Sequence, residues 1–222
     1  MFHFYKKYLS ANRVLILLLF CLLLIHASFL QANAVYARSA SISDSVLRFR
    51  VIANSNSKED QELKLAFKSR MCSALKPYLD DCADKETALS WIRTHMDFIR
   101  TQAEDILLSL TGTSDTRCRI SLQTSFFPIR TYGSLTFPPG NYQTLLITLG
   151  NGQGKNWWCV LYPSLCFTDE STAGFSKEAS ERLKQSLSEG DYSSLKEGVT
   201  FRFRIAEIIG AFCEKNVHQR FF

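Results

Sequence analysis

The stretch Leu145 to Phe167, LLITLGNGQGKNWWCVLYPSLCF, constrains the fold of this chain more than any other. Leu145 to Leu149 and Trp157 to Tyr162 are short apolar runs with β-branched or aromatic members, the composition of strands. Gly150-Asn151-Gly152-Gln153-Gly154 between them tolerates positive φ. The spacing predicts a β-hairpin with an over-long tip. Its three glycines, Lys155 and Asn156 beside Trp157 and Trp158 put amide donors, a cation and aromatic surface together, a composition suited to recognition. A loop that merely connects is the plainer reading. Strand alternation lets only one of Trp157 and Trp158 face the core, which predicts one core ring and one ring on a partner surface.

The first 37 residues set the compartment. Lys6, Lys7 and Arg13 precede an uncharged apolar run from Val14 to Ile25, and Ala32-Asn33-Ala34 and Val35-Tyr36-Ala37 follow as small-residue sites. This pattern predicts a secretory signal cleaved after Ala34 or Ala37, or retained as an anchor, with residues 38–222 as one exported domain. Removing its three basic residues lowers the net charge from +5 to +2. With no clustered Lys/Arg run in the remainder, nucleic-acid binding is not expected, and membrane contact is expected only through the N-terminal segment or a partner.

Six of the seven cysteines follow the signal segment, an even number in a disulfide-permissive compartment. Cys159 and Cys166 flank Tyr162-Pro163, where the chain can turn back, so a short-loop disulfide between them is expected. Cys72 with Cys82 is a second possible pairing, and buried free thiols are the alternative for all of them. No C-x-x-C spacing occurs, and only His95 and His218 follow the signal, so no metal or cofactor is expected.

Val46 to Ile52 alternates, with Leu47, Phe49 and Val51 on one side and Arg48 and Arg50 on a solvated side. Ser57 stands three residues before Asp60 as an N-cap, and Leu63, Phe67, Met71 and Leu75 predict an amphipathic helix that Pro77 closes. A second helix is expected from Lys85 to Leu110, with Gly112 as its stop. Strand character returns at Cys118 to Leu122. Beyond the hairpin, Thr168 to Thr172 reads as loop, Ser176 to Leu187 as a polar helix, Val199 to Arg204 as strand and Ile205 to Lys215 as helix. The order predicts an α+β fold: an antiparallel sheet with a hairpin in the C-terminal half, packed on one face against two long amphipathic helices.

Chemistry is scarce. No H-E-x-x-H, G-x-S-x-G or P-loop occurs, since Asn156 follows Gly154-Lys155 where a Ser or Thr would hold Mg²⁺. The acidic pairs Glu59-Asp60 and Asp80-Asp81 fit a helix start and a loop. No catalytic residue is expected. A secreted thiol hydrolase using Cys159 or Cys166 with His95 would require an accessible thiol of low pKa.

Leu47-Arg48-Phe49-Arg50-Val51-Ile52-Ala53-Asn54-Ser55-Asn56-Ser57, with Asp60-Gln61 and Leu63-Lys64, resembles the opening of the stage II sporulation protein R family of endospore-forming bacteria. Phe127-Pro128, Tyr132-Gly133, Phe137-Pro138-Pro139-Gly140-Asn141-Tyr142, Leu146 to Gly152, Gly154, Asn156-Trp157-Trp158-Cys159-Val160-Leu161-Tyr162-Pro163 and Leu165-Cys166-Phe167 resemble it almost without interruption. Val199 to Phe212 looks like its C-terminal piece; Thr168 to Gly198 departs. The resemblance implies a protein made in the forespore and exported into the space between forespore and mother cell. There it would activate a membrane-embedded aspartic protease that processes the sigma E precursor, doing no chemistry itself. The expected docking patch is Asn151, Lys155, Asn156, Trp157 and Trp158, with Asn54 and Asn56 of the preceding turn; these are read from composition. A cell-envelope module recognising peptidoglycan or lipid headgroups through the same Trp and Gly loop is the rival reading.

Overall fold

The computed structural model describes residues 2–115, 117–163, 166 and 177–197. Along the chain come α1 (Phe2–Ser45), β1 (Leu47–Ile52), α2 (Lys58–Asp80), α3 (Lys85–Thr94), α4 (Met96–Thr111) and β2 (Cys118–Phe127). They are followed by β3 (Arg130–Tyr132), β4 (Leu135–Phe137), β5 (Gly140–Leu149), β6 (Asn156–Tyr162), α5 (Lys177–Ser186) and α6 (Glu189–Glu197). Four strands form one sheet in the order β2-β5-β1-β6, and β3 pairs with β4 in a small second sheet. The α+β class is as expected. The expected Thr168–Thr172 loop, Val199–Arg204 strand and Ile205–Lys215 helix lie outside the described residues.

The hairpin is where the arrangement differs. β5 and β6 do not pair, because β1 lies between them, parallel to β5 with Phe49 opposite Leu145, and antiparallel to β6 with Phe49 opposite Cys159. The hairpin is opened by one strand, and the sheet is mixed. The reason is burial: Leu47, Arg48, Phe49 and Val51 are all buried, and a strand covered on both faces belongs at the centre of a sheet. The stretch 150–155 then has to bridge two strand spacings, about 10 Å. That explains the length of the tip.

One face of the sheet, carrying Phe49, Val51, Leu145, Ile147, Leu149 and Leu161, packs on Phe67, Met71, Leu75 and Leu79 of α2 and on Ile92, Ile99 and Ala103 of α3 and α4. Ser57 caps α2 by accepting from the Asp60 N–H at 3.1 Å, as its spacing predicts. The helix runs past Pro77 to Asp80. Pro77 forgoes the one ladder bond its missing N–H would make, and fully buried Leu79 holds that last turn on the core. The second expected helix is two, broken at His95 (φ −111°, ψ 23°). There Thr94 Oγ1 donates to the Ser90 and Trp91 carbonyls, both at 3.0 Å, so side chain competes with ladder. Gly112 stops α4 as expected, at φ +68° with its N–H on the Leu108 carbonyl at 2.8 Å.

The other face is not solvated along its whole length. The end of α1, the β3–β4 pair, α5 and α6 build a second core around Ile42, Val46, Phe127, Phe137, Tyr142, Val160, Leu183 and Leu195. Arg48, expected in water, is fully buried there. Its guanidinium carbon lies 4.3 Å from the Phe127 ring centre, 5.1 Å from Phe137 and Tyr142, and 5.6 Å from Tyr132. A planar, weakly hydrated cation on a long apolar stem is the charged group best suited to such a cage.

α1 carries the apolar run of the sequence: Arg13–Ser45 is long and apolar enough to cross a membrane, with mean hydropathy 2.6 in its most apolar window. An N-terminal apolar helix of this kind fits a signal sequence. Its last turns belong to the domain. Ser39 Oγ donates to the Pro139 carbonyl at 2.9 Å, Ser41 Oγ to Asp191 at 2.8 Å, and Ile42 is buried. Ser39 abuts Gly140 at the start of β5, and eight residues later the chain enters β1 at Leu47, with Arg48 opposite Thr144. The end of α1 therefore runs in the direction of β1 and β5, and its apolar run projects from the pole of the sheet opposite residues 150–155.

Candidate functional site

At that far pole the glycine loop closes as a collar around the end of β1. Asn54 Oδ1 accepts the Asn151 N–H, the Asn54 carbonyl accepts from Gln153, the Ala53 carbonyl from Gly154, and Asn56 Oδ1 from Lys155, each at 2.9 Å. Helix α2 fastens it from below. Lys64 Nζ donates to the Lys155 carbonyl at 3.2 Å, Gln61 Nε2 to the Ser55 carbonyl at 2.7 Å, and Asn54 Nδ2 to Asp60 at 2.9 Å. Bonds from Ser55 and then Asn54 hold the Asp60 carboxyl below its usual range. The glycines let the strands of the collar approach. Gly150 sits at φ +54°, and a Cβ on Gly154 would stand 2.1 Å from the Ser55 carbonyl oxygen.

Two stretches singled out separately in the sequence are thus one structure. Asn54, half-buried, and Asn56, exposed, spend their side-chain oxygens as fasteners, and Asn151, Lys155 and Asn156 are exposed. The tryptophans alternate as strand geometry requires, but because both faces are covered each ring is half-buried. Trp157 packs edge-on against Phe49 at 5.8 Å, with the Lys68 ammonium 4.8 Å above its ring. Trp158 meets Phe127 at 4.6 Å on the other face, and the Arg50 guanidinium lies 4.4 Å from it. Arg50 Nε also donates to Asn156 Oδ1 at 2.9 Å. Arg50, Gln61 and Lys64 are members of the site that composition does not reveal: only the register that puts Arg50 opposite Trp158, and the α2 contact, bring them in.

Cys159 and Cys166 are buried thiols, not bridged to each other here. Both sulfurs face the Val160 carbonyl, at 3.8 and 2.8 Å, and Cys166 also contacts Cys72. Burial, then the contacts with Cys159 and Cys72, pushes the Cys166 thiol well above its ordinary value. That is the reverse of what a thiolate nucleophile requires. His95 lies at the α3–α4 junction, stacked on Trp91 at 4.5 Å.

The comparisons with known proteins cover this site. A family model described as stage II sporulation protein R matches residues 43–172. Stage II sporulation protein R of Bacillus subtilis (strain 168) is 35% identical over 141 residues, which cover 64% of this chain and 62% of that protein. The chain thus spans less than two thirds of the length of the curated relative it matches. No solved structure matches it. The family match runs from the last turn of α1 through β1, the collar and β6 and covers more than half of the chain, which therefore belongs to the stage II sporulation protein R family.

Proposed function

We propose that the protein is an exported signal of endospore formation that activates the membrane-embedded aspartic protease processing the sigma E precursor, working in the space between forespore and mother cell. It does so by binding the protease's active form better than its resting form, since a ligand shifts an equilibrium only through differential affinity. The observation that carries this reading is the position of the collar: a fastened loop with exposed Asn151, Lys155 and Asn156, at the pole of the sheet away from the apolar run of α1. A domain tethered or released by that helix presents the collar across the space.

Co-expression of the full chain with protease and precursor in a non-sporulating host is expected to yield the shortened precursor. Lys155→Glu and Asn151→Asp are expected to reduce that yield severalfold without altering thermal unfolding. No shortening with the unaltered chain rules out the activator; normal shortening by both variants rules out the collar as contact. Retention on cell-wall material in place of the protease's membrane domain would favour the envelope-binding alternative.

In the oxidising compartment this reading implies, Cys166 bridges to Cys159, with Cys72 left as a thiol. Peptide mapping of the exported protein under non-reducing conditions is expected to recover a Cys159–Cys166 peptide pair. Free thiols at both positions would refute the bridge.

A further inference from the structure

Arg48, Arg50, Arg119 and Arg130 cluster on the second face of the sheet, and none makes an ion pair among the described residues. Arg48 is sealed in its aromatic cage; the other three border the half of that face nearest the collar. The strand register lays out two rows there. One runs Ser121, Leu146, Arg50, Trp158, and the next runs Arg119, Thr148, Ile52, Asn156. Neither contains a carboxylate. Arg119 and Gln123 are exposed, Leu146 and Thr148 half-buried. Arg119, Ser121, Gln123, Leu146 and Thr148 line one side of a shallow cavity of about 550 Å³ that continues around the β2 edge to Arg100 of α4.

The cations are held in place. Arg50 lies against Trp158 and is tied to Asn156 through Nε, leaving its terminal nitrogens for a further partner. Arg130 sits on the same indole at 5.5 Å, and its Nε is buried with no hydrogen-bond partner among the described residues. Arg119 is steered by a bond from Nη1 to the Gly150 carbonyl at 3.3 Å. Two like charges share one aromatic ring with no counter-charge between them among the described residues, an arrangement that an incoming anion relieves.

We propose that this arginine shelf docks an extended, acidic segment of a partner protein. Side chains on alternate residues of an extended strand stand roughly 7 Å apart, a spacing that lets neighbouring carboxylates meet different arginine forks. An apolar side chain between them rests on Leu146, and Ser121, Gln123 and Thr148 offer neutral hydrogen-bonding groups. A protein segment is favoured over a lipid headgroup because the shelf lies at the pole away from the apolar run of α1. The proposal deepens the activator reading and rests on it only for the identity of the partner.

The test titrates a fluorescein-labelled peptide of alternating Glu and Ser with one central Leu against the full chain in zwitterionic micelles, with a Lys-for-Glu peptide and phosphatidylglycerol vesicles as parallel arms. Saturable binding of the acidic peptide is expected, weakened on the order of tenfold in Arg50→Gln/Arg119→Gln and lost at about 1 M salt, where screening acts beyond roughly 3 Å. Arg93→Gln, at an exposed position of α3, should bind as the unaltered chain does. Equal binding by the double variant with an unchanged thermal unfolding curve, or no preference over the Lys peptide, overturns the shelf. So does arginine-dependent binding of vesicles without binding of peptide, which would assign it to lipid. In the co-expression assay, full processing by the double variant removes the shelf and leaves the activator standing. No processing by the unaltered chain removes the activator, and the peptide titration still decides the shelf.

Discussion

Gly154→Ala is expected to cost about 3 kcal/mol of stability, read as a lowered urea midpoint at unchanged slope. The added Cβ would stand 2.1 Å from the Ser55 carbonyl oxygen, 2.7 Å from its carbon and 2.8 Å from Ala53 Cβ. Real contacts of this kind do not occur, so backbone must move. It is not free to, because Gln61 Nε2 holds the Ser55 carbonyl at 2.7 Å and the Gly154 N–H itself bonds Ala53 at 2.9 Å. Overpacking costs typically 1–3 kcal/mol, and each collar bond broken in relieving it adds roughly 0.5–1.5 kcal/mol. Gly190→Ala is the control: a Cβ there meets nothing within 4 Å and α6 continues through it. That change should be neutral, or stabilising by about 0.5–1 kcal/mol. A loss below about 1 kcal/mol for Gly154→Ala would show that the collar yields and that its glycine is not required by close approach.

Tyr132→Phe is expected to cost about 2–3 kcal/mol, although it removes a single oxygen. That oxygen accepts from Arg48 Nη2 at 3.2 Å and donates to the Trp158 carbonyl at 3.0 Å. Among the described residues Arg48 Nε and Nη1 are already buried without hydrogen-bond partners, so the variant strips the cation of the side-chain acceptor it has there. An orphaned bond to a charged group costs more than a neutral one, roughly 1.5–3 kcal/mol. The double-mutant cycle separates the terms. In an Arg48→Met background, where the aromatic cage holds no charge, Tyr132→Phe should cost only about 1 kcal/mol, the loss at Trp158. Equal costs in both backgrounds would mean that the rings, and not the hydroxyl, hold the guanidinium.

The two predictions sit on residues the sequence treats differently. Glycines in a loop between two strand-like runs announce a turn with positive φ, and Gly150 and Gly152 have it, although the loop joins strands that do not pair. That the tip wraps the end of β1, with Asn54 and Asn56 filling its amides, needed the position of a strand more than ninety residues away in sequence. Arg48 and Arg50 alternate with apolar residues, which is the pattern of a strand with one wet face. Alternation reports that two faces differ. It does not say what covers the second one. Here α1, β3–β4, α5 and α6 cover one half of it, sealing Arg48 and leaving Arg50 at the border.

What the amino-acid sequence determined by itself was local: the apolar N-terminal helix, the Ser57 cap, the Gly112 stop, the α2 stripe, the strand character of β1, β5 and β6, and the runs that mark the family. Each depends on periodicity or on a few neighbouring residues, and the hydrogen bonds that enforce it close within a few residues. The tertiary structure alone decided that β1 enters between β5 and β6, that both tryptophans are half-buried, and that three thiols meet around Cys166. It also decided that the arginines without carboxylate partners among the described residues line one face. Those outcomes depend on strand order and register, which are set by the burial of apolar surface between residues far apart in sequence, and no local pattern encodes which strand a third one will separate.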